Sequence, residues 1–461
     1  MSSPPAVQYA SRTDVGMRRA ANQDSMAVRL CSEVEEWSRC GHLFVVADGM
    51  GGHAVGDLAS RITVDTLPHA YFKLDAQSIE QRLRDSIQAA NKAINDRGRE
   101  NREFEGMGTT CSVLSLSERG AIVGHVGDSR VYRVRRDRIE QLTFDHSLQW
   151  EMIRMGRATA ENVELFHPRN VITRCLGPDL GVQVDIEGPF SVQTGDQFLL
   201  CSDGLTNHVT DTEIGQILLS LPPSESSRLL INLANCRGGS DNCTVVVVAI
   251  DSYPPLPMTG ADIAVVELPR TAQPVVRTSP SSGNAARLIV GAIAVLCLLS
   301  GVVLAILNKR LPASVLIAAA VFAWLLSHRL GRRARTESRS AGITPPPASL
   351  QATDPYMELP TVEPLPDDTD SARTTFLAKS PYRIIAARVT QKLVSHLAEV
   401  QSELVQAARD SGWKVDFDEL THLHRQAVAA EQGQKSDRAV KCRAKAIDLL
   451  MRELYHRSRT T

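Results

Sequence analysis

Leu288 to Leu307 reads LIVGAIAVLCLLSGVVLAIL, twenty residues without a charge. A run of that length and apolarity is long enough to cross a bilayer, and it divides what folds before it from what folds after it. Beyond Asn308, Lys309 and Arg310 comes a second apolar run, Leu311 to Leu326, close to the lower length limit for a span. The stretch HRLGRRAR follows, with Arg329, Arg332, Arg333 and Arg335. One span would put the C-terminus outside. Two would form a hairpin with both ends inside, and the alternative for the second run is a buried or interfacial helix. Excess positive charge stays cytoplasmic, so the arginine cluster favours the hairpin, although Lys309 and Arg310 in its turn weigh against it. The N-terminus MSSPPAVQYASRTD has no apolar core of a signal peptide, so none is expected.

Around this membrane region, residues 287–330, the chain changes character. Residues 1–252 mix a helical stretch, Ser78 to Asn101, with short β-branched runs: TTCSVLSLS, AIVGHV, RVYRVRR, DQFLLCS and TVVVVAI. Turn residues separate them, which points to antiparallel sheets with helices packed on them. Residues 253–286 are rich in proline, serine and threonine, and 331–380 carry PPP and acidic patches; both read as disordered linkers. From 381 to 461 a helical period returns. Ile385, Val389, Leu393, Leu397, Val400 and Leu404 recur at three and four, and Asp410-Ser411-Gly412 breaks that helix. Val440, Ala444, Ile447, Met451 and Leu454 repeat the pattern, predicting a small all-α module.

A formal net charge of −1, with no strongly basic first half, argues against nucleic acid as a partner. Nine scattered cysteines form no CxxC pair, so neither a zinc site nor a disulfide framework is expected, and reduced thiols fit best.

Four aspartates share a setting. Asp48 closes LFVVA, Asp128 closes AIVGHVG, Asp203 closes FLLCS, and Asp241 precedes TVVVVAI. Singly, each reads as a turn residue. Together they suggest strand ends that carry several carboxylates to one rim of a sheet. Clustered carboxylates repel one another unless a cation joins them. Oxygen ligands suit Mg²⁺ or Mn²⁺, and a pair of such ions suits phosphate chemistry. The glycines of VVADGMGGH do not make a nucleotide loop, because neither a downstream acidic partner nor a Gly-Lys-Ser/Thr end is present. They read as a tight turn beside the metal.

Whole blocks then carry a resemblance. TDVGMRRAANQDS (Thr13 to Ser25), VADGMGGHAVGDLAS (Val46 to Ser60), GTTCSVL, GHVGDSRVYR, LTFDHSL, HPRNVITRCLG, LLCSDGLTNHVTDTEI and GGSDNCTVVVV occur in this order. The first half resembles the bacterial PPM (PP2C-type) metal-dependent Ser/Thr phosphatases. The resemblance implies an α+β fold, a PP2C-like sandwich of two antiparallel sheets flanked by helices, joined here to transmembrane helices and the C-terminal module. It implies hydrolysis of phosphoserine and phosphothreonine in proteins, with two Mn²⁺ or Mg²⁺ ions activating a shared water. Asp48 would bridge the metals, the Gly49 carbonyl would bind the second, and Asp203 and Asp241 would complete the first. Asp24 would act through water on the second metal, Asp128 would hold a third, weaker ion, and Arg19 would grip the substrate phosphate.

The sequence departs from the pattern at three places. Gln23 stands where many members have Glu, implying a weaker second metal. Asn207 stands where some have Asp, implying a weaker third. Met50 stands where animal members have a histidine, so the group that protonates the leaving oxygen is open. His53, His125 and His146 read equally well as structural residues. The expected whole is a phosphatase tethered to the cytoplasmic face of the cell membrane through 288–326, opposing a Ser/Thr kinase pathway, with a helical tail free to bind a protein partner or merely to solubilise. The competing expectation is a weakly active phosphoprotein-binding scaffold.

Overall fold

The computed structural model describes residues 4–51, 54–158, 171–253, 375–376 and 379–458, which belong to one compact unit. The apolar runs of 287–330 and nearly all of the two linkers lie outside the described residues. So do His53 and the HPRN stretch at 167–170. No described helix is long and apolar enough to cross a membrane.

Two antiparallel sheets form the centre. The first orders its strands β1 (Val7–Asp14), β11 (Cys243–Ile250), β10 (Gln197–Cys201), β7 (Arg130–Arg135), β8 (Arg138–Gln141), β13 (Arg383–Ala386) and β12 (Thr375–Phe376). The second runs β2 (Asp24–Arg29), β3 (His42–Met50), β5 (Cys111–Ser117), β6 (Gly120–Val126) and β9 (Asp185–Phe190), with β4 (Gly108–Thr109) on the end of β3. The two-sheet expectation holds, and each strand-like run of the sequence lies on a strand.

The helices follow in chain order. They are α1 (Val34–Cys40), α2 (Ala54–Lys73), α3 (Ile79–Glu100), α4 (Leu148–Arg154), α5 (Asp203–Thr206), α6 (Asp211–Ser220), α7 (Pro223–Cys236), α8 (Gln391–Asp410), α9 (Phe417–Gln432) and α10 (Ser436–Ser458). Helices α2 and α3 cover the second sheet, and α7 lies on β1 and β11. Ser78 caps α3 by accepting from the Gln81 N–H at 3.1 Å.

The unbroken apolar run of β11 has a structural cause. Side chains alternate across a strand, so Val246 and Val248 enter one core with Phe44, Val113, Val123 and Phe198, while Val245 and Val247 enter another. Both faces are buried, which removes the usual polar alternation. The second core holds Leu230 and Leu233 of α7 together with Leu393, Leu397, Ile447 and Met451 of the C-terminal helices.

The C-terminal segment is therefore not a separate all-α module. It begins with β13, which pairs with β8 in the register Arg383↔Gln141 and Ile385↔Ile139. Ile385 is a buried strand residue, and the helix starts only at Gln391, where Thr390 supplies the cap. Two β-branched residues, Ile384 and Ile385, favour the extended backbone, and the edge of β8 provides its hydrogen bonds. The expected break is present: α8 ends at Asp410, and Gly412 adopts a φ of +59°. Helix α9 was not foreseen. Residues 375–376, inside the expected 331–380 linker, are strand.

A buried ionic seam joins the two parts of the chain. Arg383 Nη1 lies 2.9 Å from Asp211 Oδ2. The Tyr132 hydroxyl donates to Asp211 Oδ1 at 2.9 Å and accepts from Arg130, whose guanidinium grips Asp145 with Nε and Nη2 at 2.8 and 2.6 Å.

Candidate active site

The sheets bring the aspartates together as strand ends. Register sets Asp24 of β2 directly opposite Asp48 of β3. Asp128 follows β6, Asp203 opens α5 after β10, and Asp241 precedes β11. The carboxylates thus come from both sheets, yet they share one field. Burial pushes Asp48 well above the usual carboxylate range, and the negative charges of Asp24, Asp203, Asp128 and Asp241 push it further. Asp128 is also held well above that range, by burial and then by Asp203 and Asp145. Asp203 is raised by burial and by Asp241. Asp24 is pushed up to about 7 by burial, with Asp203 and Asp241 adding, against the lowering hydrogen bonds from Ser202 and Thr244.

The donor set fits a hard divalent cation. Asp24 Oδ1, Asp128 Oδ1 and Asp203 Oδ1 are buried without a hydrogen-bond partner among the described residues. Those oxygens carry a desolvation cost that a cation would offset. No ready-made trio of His, Cys, Asp or Glu side chains surrounds a single point among the described residues. The fit rests on charge, burial and oxygen chemistry.

The glycines after Asp48 do not form the expected tight turn. Asp48, Gly49 and Met50 continue β3, with Gly49 opposite Thr109 and Met50 opposite Gly108 on β4. Glycine is needed at 49 for close approach, since a Cβ there would sit 2.1 Å from the Gly56 carbonyl oxygen near the start of α2. The chain departs from the strand at Gly51, with a φ of +134°. Thr110 pins the Asp48 backbone at both polar groups: the Asp48 N–H donates to Thr110 Oγ1 at 2.9 Å, and its carbonyl accepts from the Thr110 N–H at 2.8 Å.

Arg19 stands at the rim. Its Nη2 lies 2.8 Å from Asp241 Oδ2, its Nε donates to the Ser240 carbonyl at 3.3 Å, and about half of the side chain (49%) is open to solvent. A planar fork beside the carboxylate cluster, with one face free, is suited to a phosphate.

Several partners of the site were not singled out from the sequence. Ser202 donates to Asp24 Oδ2 at 2.7 Å. Asn242 accepts from the Gln23 N–H at 2.8 Å and donates to the carbonyls of Val15 and Ala21, stitching the loop that carries Arg19 to the loop that carries Asp241. Each adjoins a candidate aspartate in the sequence, and that adjacency was the only available signal. Asn207 donates to Asp203 Oδ2 at 3.1 Å, a bond that an ionised aspartate there could not make. Gln23 Nε2 reaches the Gly51 carbonyl at 3.4 Å.

His125 and His146 hold structure. The ring of His125 is buried between Ser112 on Nδ1 and the Gly127 carbonyl on Nε2, and burial lowers its pKa to about 3. His146 accepts from the Gly127 N–H at 3.0 Å through Nδ1 and meets Asp185 at 2.9 Å through Nε2.

Known proteins share this half of the chain. A family profile described as "Protein phosphatase 2C" matches residues 17–226. A putative protein phosphatase 2C-type of Streptococcus pyogenes is 38% identical over 252 residues, 52% of this chain and 96% of that protein. Serine/threonine phosphatase stp of Listeria monocytogenes is 40% identical over 247 residues, 52% of this chain and 94% of that protein. A solved structure, the catalytic domain of serine threonine protein phosphatase PstP in complex with two manganese ions, is 33% identical, covers 53% of this chain and 98% of its own, and has a TM-score of 0.45. With nearly the whole of two such relatives matched at that identity, the chain belongs to the protein phosphatase 2C family, the metal-dependent protein serine/threonine phosphatases.

Proposed function

We propose that the chain hydrolyses phosphoserine and phosphothreonine in proteins with two divalent cations, working at the cytoplasmic face of the cell membrane against a Ser/Thr kinase pathway. The observation that carries the chemistry is the field of five carboxylates, three with buried oxygens that no described residue hydrogen-bonds, opening on the half-exposed Arg19. Asp48, Asp203 and Asp241 would hold one Mn²⁺ or Mg²⁺ ion. Asp48 and the Gly49 carbonyl would hold the other, with Asp24 acting through water. Asp128 would hold a third, weaker ion. Bound cations neutralise phosphate charge and lower the pKa of water towards neutrality. Arg19 orients the phosphate dianion by turning its fork from Asp241 towards two phosphate oxygens. The Asn207 amide steadies Asp203 without adding charge, and Gln23 leaves the site one negative charge short of a Glu, so the second and third ions bind less tightly.

Membrane tethering rests on the two apolar runs, and the hairpin form has support from the fold. Strands of one sheet cannot lie on opposite faces of a bilayer. Since β13 pairs with β8, a chain anchored through 288–326 would keep the residues flanking that segment on one face, which supports the hairpin over a single span. Two crossings would satisfy that condition, and the arginines after Leu326 favour the cytoplasmic side for it. A reporter fused after Thr461 is expected to read as cytoplasmic; a periplasmic signal overturns the hairpin.

The chemical reading is tested by phosphate release from a phosphothreonine peptide. Release is expected with Mn²⁺ and lost in EDTA, returning on Mn²⁺ addition. Release that persists in EDTA overturns the metal reading. Metal-loaded protein that binds the peptide without hydrolysing it favours the scaffold.

A further inference from the structure

The C-terminal helices reach the back of the loop that carries Arg19. Tyr455 of α10 donates its hydroxyl proton to Asn232 Oδ1 at 2.9 Å. The same hydroxyl oxygen accepts from Asn235 Nδ2 at 2.9 Å. The other proton of that amide goes to Asp14 Oδ1 at 3.0 Å. Asp14 ends β1, and its Oδ1 also accepts from the Gly16 N–H at 2.9 Å, closing the turn that leads to Arg19. Each donor in this series has a defined acceptor, so the orientation of the Asn235 amide depends on the tyrosine oxygen. Asn232 and Asn235 are buried.

The turn it holds is tightly fitted. Gly16 has a φ of +81°, and a Cβ there would sit 2.3 Å from the Asp241 carbonyl oxygen. The N–H groups of Met17 and Arg18 both donate to the Gly239 carbonyl, at 2.8 and 3.2 Å. Gly239 in turn donates to the Ala234 carbonyl at 3.0 Å, at the end of α7. The loop of Arg19 and the loop of Asp241 therefore rest on the end of α7, where Tyr455 engages Asn232 and Asn235.

We propose that Tyr455 is a positioning residue for substrate binding, acting through Asn235, Asp14 and the Gly16 turn on Arg19. The docked C-terminal segment is then a regulatory input: an event that moves α10 is felt as a change in affinity for the phosphorylated substrate. This rests on the reading of Arg19 as the phosphate grip.

The test uses the full chain in detergent micelles with Mn²⁺, a phosphothreonine peptide as substrate and inorganic phosphate as inhibitor. Tyr455→Phe keeps the ring packing and removes the hydroxyl. It is expected to raise the peptide KM and the phosphate inhibition constant by the same factor, about three- to tenfold, the reach of one neutral hydrogen bond. The kcat and the Mn²⁺ half-saturation stay where they were. In an Arg19→Ala background, Tyr455→Phe has no further effect, because the group it positions is gone. The melting temperature reports any loss of fold separately. An effect of Tyr455→Phe on kcat or on Mn²⁺ dependence, an equal effect in the Arg19→Ala background, or no effect at all overturns the coupling. If Arg19→Ala itself leaves KM and kcat unchanged, the phosphate-grip reading falls first, and the proposal with it.

Discussion

Asp48→Asn is expected to cut phosphate release by about a thousandfold or more, and at the same time to raise the melting temperature of the metal-stripped protein. The loss follows from the position of Asp48 among Asp24, Asp128, Asp203 and Asp241. Removing one preorganised charged group from such a site costs on the order of 10²–10³ in rate, and Asp48 would serve two ions at once. The gain has the opposite sign for the same reason. Without metal, Asp48 is a buried carboxylate among other carboxylates, and an amide of the same shape relieves both desolvation and repulsion. Relief of about 1 kcal/mol corresponds to a few degrees. Mn²⁺ should therefore stabilise the wild type strongly and the variant weakly. Peptide dephosphorylation and thermal melts in EDTA and in Mn²⁺ read both effects. A variant that keeps its activity, or that melts lower than wild type in EDTA, contradicts this account of the site.

The site was legible in the sequence because its chemistry sits where strands end. Asp48, Asp128, Asp203 and Asp241 each border an apolar run, and a closed pair of sheets gathers such borders at one place. Arg19 was legible only through the blocks around it. The supporting bonds were not: Ser202 and Asn242 become informative only when their partners are known, and those lie 178 and 219 residues away. The glycines misled for a related reason. Gly49 serves close packing against Gly56 rather than a turn, and spacing along one chain does not tell those uses apart.

Periodicity does not separate strand from helix at the start of the tail. A spacing of four and three from Ile385 onward suits a helix, yet Ile385 alone at the start of that series faces Ile139 across a ladder. A four-residue strand is too short to show a period against the helix that follows it. The sequence held a different clue, the six consecutive apolar residues of TVVVVAI without polar alternation, which call for cover on both faces of β11. Helices α6 and α7 supply only part of that cover, and the C-terminal helices share the rest of the core.

Arg383→Met should show how firmly that cover is fastened. Asp211 is buried (7% exposed), and Arg383, at 20%, faces its Oδ2 at 2.9 Å. Methionine fills similar space without charge, leaving an aspartate whose remaining cationic neighbour, Arg130 at 3.6 Å, is already committed to Asp145. Breaking one side of a buried pair costs about 3–5 kcal/mol, and the partial exposure of Arg383 sets the lower end of that range. The melting temperature of the full chain should fall by roughly 6 °C or more. Adding Asp211→Asn should restore most of the loss, since the amide oxygen still accepts from Tyr132 and no unpaired charge remains. Arg388→Met is the matched control. Its partner Asp137 is 41% exposed and Arg388 itself 74%, so an effect of at most about 0.5 kcal/mol is expected. Equal losses in Arg383→Met and Arg388→Met, or no recovery with Asp211→Asn, would mean that apolar packing alone holds the segment to the catalytic domain.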